Sequence, residues 1–96
     1  MQISINLENG EQITLSDNLI YLVRFEESFN REFDLQNLGK SVTEFFRVGY
    51  AMIHPKPNYS FEEFMDKATN SDMLPIVQAV KKLMNPEDAQ NKKIKN

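Results

Sequence analysis

The sequence predicts an α+β domain in which an N-terminal β-hairpin packs on a small bundle of three to four α-helices. Two observations predict it. Apolar residues alternate on both sides of Asn9-Gly10, and beyond Asp17 they recur at helical spacing. A third bounds the answer: 96 residues suit one domain with one modest core.

Ile3, Ile5 and Leu7 alternate with Gln2, Ser4, Asn6 and Glu8, the pattern of a half-buried strand. Asn9-Gly10 is a strong hairpin signal because both residues tolerate positive φ. Ile13 and Leu15 continue the alternation, so residues 2–15 read as a hairpin. An isolated hairpin is marginal in water, so its apolar face needs a partner.

Ser16-Asp17 offers a helix N-cap. A helix over about 17–33 then places Leu19, Leu22, Val23, Phe25, Phe29 and Phe33 on its inner face. Glu27 and Arg31 are spaced to pair on its outer side. Gly39 marks a break. A second helix, 41–53, is apolar around most of its circumference and is expected to be central, with only Glu44 and Arg47 in water. Gly49 lies on its apolar face, where a missing side chain permits close approach. His54-Pro55-Lys56-Pro57-Asn58 reads as a loop. Ser60 and Glu63 form a capping box opening a helix over about 61–69. A last helix, 72–84, carries Met73, Ile76, Val77, Val80, Leu83 and Met84 as a stripe, with Pro75 in its first turn. These elements make residues 1–84 a single globular domain, and the polar residues 85–96 are expected to be a flexible tail.

The formal charge is −3. The last twelve residues hold Lys92, Lys93 and Lys95 against Glu87 and Asp88, so residues 1–84 carry −4. An acidic body is a poor electrostatic match to phosphate backbones, which argues against nucleic acid. No cysteine is present, so thiolate metal sites and disulfides are excluded. The start, Met1-Gln2-Ile3-Ser4, lacks the basic and apolar regions of a signal peptide, and no apolar run approaches a bilayer span. The expected location is the cytoplasm, away from membranes.

No residue pattern points to catalysis, a cofactor or a metal, so a non-enzyme is expected. His54 is the only histidine and has Pro55 and Lys56 as neighbours. Adjacent acids at Glu26-Glu27 and Glu62-Glu63 point about 100° apart on a helix and do not converge. Glu26 falls among the apolar residues of the first helix, where an unpaired carboxylate is costly to bury. It either pairs within the domain, sits at a rim, or contacts another chain. Phe46, Tyr50 and Tyr59 are not claimed by the apolar stripes, and Leu74 lies off the last stripe. With Glu26 these form the expected partner-contact residues, since large aromatic side chains are favoured at interfaces.

The segments LIYLVRFEESFNREF, VTEFFRVGYAMIHPKPNYSFEEFMDKA and MLPIVQAVKKLM, following a short β start, resemble tail assembly chaperones of long-tailed bacteriophages and prophages. The resemblance covers about residues 13–84, and the Pro55-Lys56-Pro57 loop departs from it. It implies a chaperone that coats the tape-measure protein before the tail tube forms, works as a homo-oligomer in the bacterial cytoplasm, and in many relatives has a frameshifted longer form. Two alternatives remain open: a structural tail or head–tail component, which would persist in finished particles, and a small nucleic-acid-binding regulator, which needs clustered Lys and Arg on one helix.

Overall fold

The structure, a computed structural model, describes residues 1–84; the expected tail at 85–96 lies outside the described residues. Strands β1 (Gln2–Asn6) and β2 (Gln12–Ser16) form an antiparallel hairpin with Ile3 opposite Leu15 and Ile5 opposite Ile13. Four helices follow: α1 (Ile20–Phe29), α2 (Val42–Met52), α3 (Phe61–Lys67) and α4 (Asn70–Met84). The α+β class read from the sequence is the class observed.

The turn differs in detail from a two-residue Asn-Gly turn. Leu7 N–H donates to Glu11 O at 2.7 Å, and Gly10 N–H donates to Leu7 O at 3.0 Å. Only Gly10 has positive φ, at 94°, so the loop holds three residues and ends in a glycine bulge.

The first helix is shorter than predicted at both ends. Ser16 is buried, and its hydroxyl accepts from Asn18 N–H at 3.2 Å, closing a turn rather than capping the helix. Asn30 ends α1 in the left-handed region, φ 56°, its N–H donating to Glu26 O. Phe33 therefore lies beyond the helix. Asp34 then accepts from Gln36 N–H and starts a 3₁₀ turn over Leu35–Asn37.

Three further caps set the remaining helices. Ser41 accepts from Glu44 N–H at the start of α2, and Ser60 and Glu63 make the predicted reciprocal box before α3. The last helix starts two residues earlier than expected. Asp72 accepts from Thr69 N–H at 3.0 Å and from Glu8 N–H at 2.9 Å, joining the helix start to the hairpin turn. Starting at Asn70, the helix holds Pro75 in its second turn, so the carbonyl of exposed Ser71 goes without that donor.

The core lies where α2 meets the other elements. Leu15, Phe25, Val48, Met52, Phe64, Ile76 and Val80 are fully buried. Gly49 permits the close crossing of α2 and α4: a Cβ there would stand 3.4 Å from methyls of Ile76 and Val80. Beyond α2, Ile53 bridges Leu15, and His54 N–H donates to Thr14 O at 2.8 Å. No helix among the described residues is long and apolar enough to cross a membrane.

Candidate protein-binding surface

The start of α1 is apolar on most sides: Leu19, Ile20, Tyr21, Leu22, Val23 and Phe25, with Arg24 the one charged residue among them. Only one side of it can meet the core. The aromatic residues take that side. Tyr21 and Phe25 are buried, Phe29 packs on Phe25 with ring centroids 4.8 Å apart, and Phe33 returns onto Phe25 at 5.6 Å. Aromatic rings bury more area per residue than Leu or Val, so this orientation fills the core best.

The expected inner positions Leu19, Leu22 and Val23 are consequently outside. Leu19 is 70% exposed, Ile20 45%, Leu22 38% and Val23 51%. Leu19, Leu22, Val23 and Glu26 fall at i, i+3, i+4 and i+7, one continuous stripe along α1. Glu26 is exposed at its end. Its neighbours on this stripe, Leu19, Leu22 and Val23, face water, and the Glu26 carboxylate is not buried. Val23, Glu26, Glu27, Asn30, Arg31 and Glu32 line a shallow concavity beside the stripe.

A different carboxylate is buried. Glu44, expected in water, is 3% exposed. Arg31 Nη2 donates to its two oxygens at 2.8 and 3.1 Å, and Arg47 Nη1 donates at 3.0 Å. Arg31 thereby serves Glu44 rather than Glu27, and its guanidinium lies 5.0 Å from the Phe25 ring centroid. Two cations supply what a buried carboxylate requires.

The expected aromatic surface near α2 is largely covered. Phe46 is 5% exposed and belongs to the core, at the floor of a concavity lined also by Met65, Ala68 and Met73. It is therefore not a surface contact. Tyr50 and Tyr59 are half-buried. Tyr50 packs against Phe29, Phe61 and Phe64, and its hydroxyl donates to Tyr59 O. Lys67 Nζ sits 4.0 Å from the Tyr59 ring centroid. The short helix α3 occupies the place where the sequence suggests a partner. Leu74 remains exposed, at 62%.

Burial, then nearby carboxylates, raises all three phenols above the ordinary tyrosine value: Asp17 beside Tyr21, Glu63 beside Tyr50, and Glu11 beside Tyr59, with Tyr50 adding to the last. The phenols stay neutral at physiological pH and act through packing and hydrogen bonding. His54 is exposed, and no group of three or more His, Asp or Glu among the described residues is placed to hold a metal ion.

The site that remains is the α1 stripe. Scattered exposed apolar side chains are ordinary, but contiguous ones mark contact surfaces. Fully burying a Leu or Val side chain contributes about 1.5–3 kcal/mol, and each of these side chains has part of that left to gain when it is covered. No family model, no curated protein and no solved structure matches the chain.

Proposed function

We propose that this chain is a non-enzymatic tail assembly chaperone that shields the tape-measure protein through the apolar stripe of α1. The observation that supports it is the contiguous exposure of Leu19, Ile20, Leu22 and Val23 on one helix. A long helical client awaiting assembly exposes apolar faces that aggregate unless covered. An exposed helical stripe covers such a face by helix-to-helix packing. Glu26 and Glu27 at the end of the stripe suit Lys or Arg flanking the client's apolar face. The identity of the client comes from the resemblance of residues 13–84 to tail assembly chaperones.

Co-expression tests this directly. The tape-measure protein that this proposal names as client is produced alone and together with this chain. The reading requires the client to aggregate alone and to become soluble, in complex, when this chain is present. A client equally soluble without it, or equally aggregated with it, contradicts the reading.

A further inference from the structure

We propose that the outer edge of β1 pairs antiparallel with the β1 edge of a second copy, about a two-fold axis at Ser4. The inference does not rest on the chaperone reading. It begins with the hairpin's hydrogen-bond phase. Leu7 N–H donates to Glu11 O, which makes Leu7 and Glu11 a hydrogen-bonded pair. Alternation along an antiparallel ladder then makes Ile5 with Ile13, and Ile3 with Leu15, hydrogen-bonded pairs too. The N–H and C=O groups of Gln2, Ser4 and Asn6 consequently point away from β2.

The opposite edge supports this phase. On β2 the same alternation turns the Thr14 carbonyl outward, where it accepts from His54 N–H at 2.8 Å. That edge is thus partly occupied by the chain leaving α2. The β1 edge is not: among the described residues no backbone hydrogen bond joins it to another element. It also lacks the usual protection against pairing. Gln2–Asn6 contains no charge, proline or glycine.

A second copy matches this edge. Under the two-fold, Ser4 faces its own equivalent and Gln2 faces Asn6 of the other copy, each pair exchanging two hydrogen bonds. Between them Ile3 meets Ile5 of the other copy as a close, non-hydrogen-bonded pair. Ile3 is only half-buried now, so this contact covers apolar surface. The groove beside the edge is walled by one face of α4, where Pro75, Gln78, Ala79 and Lys82 fall at i, i+3, i+4 and i+7. Neither wall carries a carboxylate. In a chain of net charge −3, this is a place where two copies meet without acidic repulsion.

Sedimentation equilibrium of the full chain, from micromolar to near-millimolar concentration, tests the proposal. The wild type should dimerise. Ser4→Pro removes an outward donor without removing a backbone hydrogen bond to β2, and Ser4→Lys brings two ammonium groups together at the axis; both also lose the 2.9 Å hydroxyl contact of Ser4 with Thr14. Each should weaken the dimer at least tenfold with an unchanged circular dichroism spectrum. Should Ser4→Pro fail to fold, Ser4→Lys alone decides. A wild type that stays monomeric throughout, or a dimer that persists in the folded variants, overturns the proposal. So does a monomer whose Gln2, Ser4 and Asn6 amides become protected only when a different protein is added, which would assign the edge to a foreign strand.

Discussion

Glu44 places a carboxylate inside the molecule with Arg31 and Arg47 gathered on it. Arg31 lies just beyond α1 and Arg47 within α2, so the cluster ties the two helices. Hydrogen bonds to charged groups contribute about 1.5–3 kcal/mol. Glu44→Ala should lower the unfolding free energy by about that amount in denaturant titration, because the arginines lose a shared acceptor. A change no larger than that of an exposed surface residue would show that the cluster adds nothing. The phenols give a second residue-scale test. Tyr21, Tyr50 and Tyr59 are raised in the folded state, so the native protein holds their protons more tightly than the unfolded chain. Stability from these groups is full below the unfolded value, near 10, and declines as pH rises through the higher native values. Melting temperature should therefore fall from about pH 10 upward. Tyr50→Phe should cost about 1 kcal/mol at neutral pH, through the lost hydrogen bond to Tyr59 O, and should make the alkaline fall shallower.

At the scale of elements, the crossing of α2 and α4 depends on Gly49. Ala at this position brings a Cβ to ordinary contact distance from Ile76 and Val80, while helix propensity gains roughly 1 kcal/mol. Gly49→Ala should accordingly be within about 0.5 kcal/mol of wild type or slightly more stable. Gly49→Val overfills the crossing and should cost about 1–3 kcal/mol, read from the denaturation midpoint. Destabilisation by Ala as large as by Val would mean that the helices cannot yield at all. The same elements show what was legible beforehand. Alternation at Ile3–Leu7 and the Ser60–Glu63 box are local signals, and they located the hairpin and the start of α3. The end of α1 depended on Asn30 entering the left-handed region, a choice that Asn permits but does not force. The orientation of α1 was hidden for a different reason. A helix whose first turns are apolar on most sides gives its periodicity little to choose between faces, and here relative side-chain volume decided it. Glu44 looked solvated because its cations lie three and thirteen residues away, and the latter separation carries no helical signal. The α3 cover over Phe46 and Tyr50 is a tertiary contact that neither helix announces alone.

The whole molecule keeps its aromatic residues for the core and leaves a row of aliphatic ones outside. That division moves the expected contact surface from Phe46, Tyr50 and Tyr59 to α1, and keeps Glu26 within it. The α1 stripe and the free β1 edge lie on different elements, so the two proposed contacts would use separate surfaces. A chain that coats a long client needs both kinds of contact. The central claim is the proposal that the α1 stripe binds a long helical client, and titration calorimetry of the purified chain against the tape-measure protein that the proposal names tests this most directly. The comparison pairs wild type with the Leu22→Ser/Val23→Ser variant. Both side chains are already partly in water, so the variant should keep its fold and spectrum. The account predicts measurable binding by wild type and at least a tenfold loss in the folded variant. No binding by wild type, or equal affinity in the two, would contradict it.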